Sequence, residues 1–464
     1  MRLEVNENIT PQELMPAIRR AVELASEKTL ILDHRWNVAD GAPVFTAGGQ
    51  YTARSWTQWT QGFQYGNALL CFELGGDEEL LALARKHVVA DMAEHLTHMG
   101  VHDHGFNNIS TYGNLRRLML AGRIAHDEWE LHFYELALKV SGAVQAARWT
   151  SLPNGRGYIH SFNGSHSLFI DTMRTLRVCG IAHQLGHALL DEQDERVNLL
   201  ARLLAHAETS AQYNIYYGEG RDHYDVPELR GRTAHEAIFN PASGAFRCPS
   251  SQQGYSPFTT WTRGLAWAML GFAEQLEFVQ SRAAGEFGAD GVPEKGDACA
   301  MLERAGRATC DFYVRQVSAL DGICYWDTGA PDLPRLGDWQ ALPADPFNDH
   351  EPVDSSASAI AAQGLLRLGH ALGSDGHPYT QAGLTVLRRL LEEPYLSTDP
   401  HHEGILLHSV YHRPNGWDAI PAGRKIPCGE SSMWGDYHLL EAMLLAARLA
   451  EGSYYTFFQT ERAG

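Results

Sequence analysis

The chain has 464 residues, 44% hydrophobic and 20% charged, with 37 basic residues against 56 acidic ones and a net charge of −19. That is a globular composition with ample apolar surface for a core, and it excludes a disordered or fibrous chain. The acidity speaks against nucleic acid, which needs clustered Lys and Arg, and no apolar run reaches the ~18 residues of a membrane span.

Apolar residues recurring every three or four positions predict helices over about 12–26, 63–74, 78–97, 127–147, 167–187, 192–210, 258–279, 299–317, 355–370, 379–392 and 431–450. The clearest stripe is Phe258, Trp261, Leu265, Met269, Phe272, Leu276 and Val279, one buried helix face. Asp354 before Ser355 and Ser356 is a helix N-cap signal. Strand-like alternation is scarce, with Ile215–Tyr217 and Ile405–Tyr411 the best candidates. The helices are separated by loops rich in Gly, Pro, His and aromatics, and loops of that length are usually functional. No linker marks a boundary, so one domain over 1–464 is expected, with an N-terminal helix and loop (1–55) and a trailing tail (452–464). The trailing segment Tyr454–Gly464 has two readings, a surface tail or a contact in a homodimer. The seven cysteines are odd in number, irregularly spaced and without a CxxC, which fits buried reduced thiols. Met1–Lys28 lacks the basic start and apolar core of a signal peptide, so a cytoplasmic location is expected.

Four segments carry polar and aromatic groups that a helical core does not need. Trp56–Gly66 interleaves Trp and Phe with amides, which suits a sugar with its C–H faces and hydroxyls, although a helix start with core Trp is the commoner reading of such a segment. Val101–Asn108 contains His102-Asp103-His104 in a glycine-containing turn, a source of an acid/base pair. Asp103 is alternatively a cap for a helix beginning near Ile109, and His98, His102 and His104 are alternatively metal ligands, though no Glu or Cys pattern accompanies them. In Ser161–Asp171 the carboxyl of Asp171 ends the apolar run Leu168-Phe169-Ile170. Desolvation there raises its pKa and suits it to give up a proton near neutrality; the bland alternative pairs it with the backbone or Arg174. In Gln252–Trp267, Arg263 offers a planar fork that matches a carboxylate, or a structural Asp.

In order and spacing these segments resemble the unsaturated glucuronyl hydrolases of glycoside hydrolase family 88 and the related family 105. The matching positions are Trp59/Gly62/Phe63/Gly66, His102-Asp103-His104-Gly105-Phe106, Ile170-Asp171 and His235 before Phe239-Asn240-Pro241. They continue through Gln253-Gly254-Tyr255, Trp261/Arg263-Gly264/Ala266-Trp267, Asp354-Ser355-Ser356-Ala357 and Trp434-Gly435-Asp436-Tyr437/Glu441-Ala442. The resemblance implies an all-α, six-hairpin (α/α)6 barrel that removes a 4,5-unsaturated uronic acid from oligosaccharides by hydrating its C4=C5 vinyl ether. It implies no metal and no organic cofactor. By position, Asp171 matches the proton donor and Asp103 its partner, supported by His102. His235 and Gln253 match contacts to the uronate or water, Arg263 faces the carboxylate and Trp267 stacks on a ring. Trp59 belongs to the aromatic wall. Three departures bear on substrate: Gln64 and Phe162 stand where the family has Trp, and Arg174 adds a charge near Asp171. Two alternatives stand beside this reading: a related barrel enzyme acting on another enol ether or a saturated glycoside, and a non-catalytic glycan-binding scaffold.

Overall fold

The computed structural model describes residues 3–54 and 58–458; Trp56 and Thr57 of the first aromatic segment, and 459–464 of the trailing one, lie outside them. The helices are α1 (Pro11–Arg35), α2 (Gln61–Gly75), α3 (Glu78–Asp91), α4 (His104–Asn108), α5 (Asn114–Leu120) and α6 (Glu128–Ala147). They continue with α7 (Thr172–Thr175), α8 (Arg177–Gln184), α9 (Leu199–Tyr213), α10 (Thr262–Ser281), α11 (Lys295–Phe312), α12 (Ser355–Ala371), α13 (His377–Leu390) and α14 (Met433–Ala450). A π-helical turn, Ile109–Gly113, joins α4 to α5.

The packing alternates along the chain. Helices α2, α4–α5, α7–α8, α10, α12 and α14 each contact the next, and α14 closes on α2; α1, α3, α6, α9, α11 and α13 pack outside this ring. The result is the (α/α)6 barrel. Sequence sorts the two layers physically. Inner helices α10, α12 and α14 are buried on nearly every face, whereas outer α3 alternates buried Leu80, Leu81, Ala84 and Val88 with exposed Glu78, Glu79 and Lys86. Two glycines of the segments singled out above let inner helices touch: a Cβ on Gly62 would lie 2.2 Å from the Asn107 carbonyl, and one on Gly105 2.2 Å from that of Thr175.

Several local expectations are corrected. The stretch 167–187 is not one helix: Ser167–Phe169 is a strand, paired antiparallel with Glu236–Phe239, which pairs in turn with Phe246–Ser250. The β-forming run Leu168-Phe169 takes this partner before α7 begins. The segment Val101–Asn108, expected as a glycine-containing turn, enters α4 at His104. Ile215–Tyr217 and Ile405–Tyr411 form only isolated bridges, such as Ile215 with Thr233 and Leu407 with Ser431. Asp354 caps α12 as expected, accepting from Ser356 N (3.1 Å) and Ala357 N (3.3 Å). All seven cysteines are unpaired, but Cys248 is exposed and Cys299 half-buried rather than buried. Among the described residues no helix is long and apolar enough to cross a membrane.

Arg174 is the largest departure from expectation. It is fully buried and turned away from Asp171, with Nη1 2.5 Å from Glu274 and Nη2 2.5 Å from Glu441. Arg177 and Arg367 join the cluster near Glu274, Glu441 and Glu277. Burial penalises the Glu441 carboxylate, but Arg174 and Arg177 outweigh it and hold its pKa far below the ordinary value. The trailing segment covers this cluster instead of leaving the surface: Tyr455 OH donates to Glu441 Oε1 (2.7 Å), Tyr454 OH donates to Glu277, and Phe457 lies 4.9 Å from the Arg177 guanidinium.

Candidate active site

A cavity of about 240 Å³ is lined by Trp59, His102, Asp103, Phe106, Phe162, Asp171, Gln252, Gln253, Trp261, Arg263, Trp267, Tyr411, His412, Asn415 and Trp417. Inner-helix N-termini supply its acids. Asp103 precedes α4 and Asp171 precedes α7, and neither side chain caps its helix, so the capping role considered for Asp103 is not the one it has. Both are buried, with 6% and 7% of their surface exposed.

His102 connects them: its Nε2 lies 3.7 Å from Asp103 Oδ1 and 3.6 Å from Asp171 Oδ1. These are ion-pair separations, longer than direct hydrogen bonds. The ring is fixed by stacking on Phe162 (5.8 Å) and by the edge of Phe169 (5.5 Å). Burial raises the Asp103 pKa and the nearby charge of Asp171 adds to it, against the opposing pull of His102. For Asp171 burial also pushes upward, but His102 outweighs it and holds the carboxyl below the usual range. The apolar run therefore does not by itself decide the proton affinity of Asp171, and the raised carboxyl of the ligand-free protein is Asp103. His102 is raised, because the two carboxylates outweigh its burial.

His235 does not line the cavity but stands behind it. Its Nδ1 accepts from Gln252 N (3.1 Å), and its ring packs on Phe169 (4.4 Å) and Trp261 (4.8 Å). That bond places the proton on Nε2, and burial keeps the ring neutral. His235 Nε2, both ring nitrogens of His102 and Asp171 Oδ1 are buried without a protein hydrogen-bond partner among the described residues. Buried polar atoms rarely stay unpaired, so their clustering points to a polar ligand.

Arg263 reaches the cavity wall, but its fork is engaged. Nη1 donates to Asp354 Oδ2 (2.9 Å) and the Val410 carbonyl; Nη2 donates to the Tyr411 carbonyl (2.7 Å) and Gln253 Oε1 (3.2 Å). The structural Asp won the competition posed by the sequence. Its side effect is useful: with Gln253 Oε1 occupied, the amide N–H groups of Gln253 are the ones left for a ligand. Arg263→Lys loses this fork and is expected to lower stability by about 1–3 kcal/mol, read as a lower urea midpoint.

Trp59 stacks on Trp434 (5.0 Å), and Trp267 packs on Phe106 (4.9 Å), so both aromatics are pre-oriented. Gln64 is buried away from the cavity, accepting from Gln61 Nε2 (2.8 Å), so it is not part of the wall. His104 is also withdrawn, bonded to Ser141 Oγ and the His98 carbonyl through its two nitrogens. Among the described residues no group of three or more His, Cys, Asp or Glu is arranged to hold a metal ion. Sequence reasoning missed Tyr411, His412, Asn415 and Trp417 as wall residues; the available signal was the aromatic content of a long Gly- and Pro-containing loop.

Carboxylates in an aromatic-walled cavity of an (α/α)6 barrel suit the hydrolysis of a sugar, and the relatives make this a glycoside hydrolase. No family model matches the chain. It is 28% identical over 437 residues to the unsaturated glucuronyl hydrolase of Bacillus sp. (strain GL1), covering 90% of this chain and 92% of that one. It is 25% identical over 450 residues to the unsaturated chondroitin disaccharide hydrolase of Streptococcus pyogenes serotype M1, covering 92% and 90%. The solved unsaturated glucuronyl hydrolase of Bacillus sp. GL1 superposes with a TM-score of 0.69 at 22% identity over 96% of this chain and all of that one. One specific for heparin gives 0.70 at 19% over the same shares. Along nearly its whole length the chain is thus similar to unsaturated glucuronyl hydrolases.

Proposed function

We propose that the enzyme removes a 4,5-unsaturated uronic acid from the non-reducing end of an oligosaccharide by hydrating its C4=C5 bond, with Asp171 as the proton donor. The observation that carries this is the placement of two buried carboxylates around one buried histidine on the cavity floor. A proton goes to C4 and leaves oxocarbenium character across C5 and the ring oxygen. One water adds its oxygen to C5 and gives up a proton. The resulting hemiketal opens to a C5 ketone, and the C1 hemiacetal collapses to an aldehyde as the second sugar leaves with its oxygen protonated. Asp103, His102 and Asp171 serve as one proton store. The anionic uronate, seated beside Asp171, raises that carboxyl's affinity for the proton by like charge and desolvation. Asp171 then delivers it to C4 and, as a carboxylate, takes one from the incoming water. The Gln253 amide is suited to the uronate or the water, with His235 holding the Gln252 backbone behind it, and Trp267 and Trp59 are suited to ring faces. The unpaired thiols suit a reducing compartment, and we place the enzyme in the cytoplasm.

The test is the ultraviolet absorbance of the conjugated enoate, followed for unsaturated disaccharides from chondroitin, hyaluronan, heparin, pectin and xanthan-type lyases. Loss of absorbance with release of the reducing sugar supports the reading; a flat trace across the panel with folded protein defeats it. The pH profile carries its own sign. His102 and Asp103 hold a proton to higher pH than their ordinary values, and the reaction needs it, so kcat/KM is expected to hold below these raised values and to fall as pH rises through them. Asp103→Asn is expected to displace that alkaline limb.

A further inference from the structure

We propose that Arg148 is a positioning residue for the proton store: one buried guanidinium ties together the segments that carry His102, Asp103 and Phe162, and it gives the store the cation it faces. The proposal rests on the uronyl hydrolase reading above. Arg148 is 8% exposed and follows the last turn of α6. Its Nη1 donates to the Met99 carbonyl, shortly before His102. Its Nη2 (2.7 Å) and Nε (3.2 Å) donate to the carbonyls of Ser161 and His160, just before Phe162. Phe162 stacks on the His102 ring, so both the segment bearing that ring and the ring it rests on hang from one side chain.

The backbone at Arg148 is itself fixed. Its N–H donates to the Gln145 carbonyl (3.2 Å), and its carbonyl accepts from His160 N (2.9 Å). The strand that follows, Trp149–Ser151, pairs antiparallel with Gly157–Ile159. A planar fork held at its root serves several carbonyls at once, which a flexible ammonium does not.

The charge carries the second half of the proposal. Buried Arg174, Arg177, Arg263 and Arg367 each have a carboxylate at ion-pair distance. Arg148 gives its donors to carbonyls instead, and Asp103 is the anion whose charge acts on it. A buried charge without a paired carboxylate is costly, so its place behind the acids calls for a use. The other groups facing His102 and Asp103 are Asp171 before α7, His98 and His104 from their own segment, His160, His206 of α9 and His235. Burial pushes His104 and His160 down to about 4 and His206 to about 3, and it lowers His235. These rings are therefore neutral near pH 7, whereas a guanidinium keeps its charge. That charge weakens the hold of both His102 and Asp103 on a proton, which eases its release toward C4.

The experiment measures kcat and kcat/KM against pH, on the best substrate of the disaccharide panel, for the unmodified enzyme, Arg148→Lys and Arg148→Gln. Both variants are expected to lose about tenfold or more in kcat, because the fork that seats His102 is gone. They differ in the alkaline limb of kcat/KM. Arg148→Lys keeps a cation beside the store and leaves the midpoint of that limb in place. Arg148→Gln removes the charge, so the store holds its proton longer and the midpoint moves to higher pH. The midpoint does not depend on how much of a variant folds. An unmoved limb in Arg148→Gln, a moved one in Arg148→Lys, or an unchanged kcat in both overturns the proposal and leaves the uronyl hydrolase reading intact. Turnover of nothing in the panel by the unmodified enzyme overturns that reading. The coupling is then read without turnover, from the His102 ring in a nuclear magnetic resonance titration, where an unchanged midpoint in Arg148→Gln overturns the proposal as well.

Discussion

Asp171→Asn is expected to lower kcat by about 10²–10⁴-fold, the range for removing a positioned general acid, with the fold retained. The amide keeps the shape of the carboxyl beside His102 and does not add a charge to the buried floor. The variant therefore separates chemistry from stability: the enoate absorbance should persist while the thermal midpoint stays near that of the unmodified enzyme. Asp103→Asn acts through the shared proton, so its loss in kcat should be accompanied by the shifted pH profile, whereas Asp171→Asn removes the delivering group itself. Retention of most activity by Asp171→Asn sinks the assignment of the donor. The low proton affinity of Asp171 in the free enzyme makes a further demand. Binding an uncharged analogue of the uronate should leave that carboxyl ionised, whereas binding the uronate should protonate it, a difference readable in the carboxyl stretch of isotope-edited infrared spectra.

The second large effect lies one turn along α7, in the cluster around Arg174. Glu441→Ala is expected to cost about 3–5 kcal/mol of stability, the range for breaking one side of a buried ion pair. Glu441 faces Arg174 at 2.5 Å and Arg177 at 3.5 Å, and it also accepts from Gln363 Nε2 (2.9 Å) and Tyr455 OH (2.7 Å). Its removal leaves two guanidinium groups buried with Glu274 as their remaining shared anion, and a tyrosine hydroxyl without its acceptor. Chemical unfolding measures this directly. A change below about 1 kcal/mol, the scale of an exposed pair, contradicts the reading of Arg174 as a core residue and reopens it as a pocket residue.

Much of this molecule is legible in one dimension. The apolar spacing from Phe258 to Val279 anticipates α10 because a buried helix repeats its contacts every turn, and Asp354 before two serines anticipates the start of α12 because capping is local chemistry. The ordered series of short motifs also pointed to the carboxylates and to the aromatic walls. The stretch 167–187 was misjudged for a reason equally physical: whether Leu168-Phe169 extends or coils depends on strand Glu236–Phe239, nearly seventy residues away. Residue type told which groups are able to carry charge, but not which charges meet. Arg174 sits three residues from Asp171 yet pairs with Glu274 and Glu441, and Arg263 gives its fork to Asp354 and two carbonyls. The sequence by itself determined the helical periodicity and which carboxyls are able to serve as acids, because those depend on local pattern and on side-chain chemistry. Only the tertiary structure decided which carboxyl has the raised proton affinity, where the arginines are neutralised and which turn walls the cavity, because electrostatic energies depend on separations and burial that chain order does not encode.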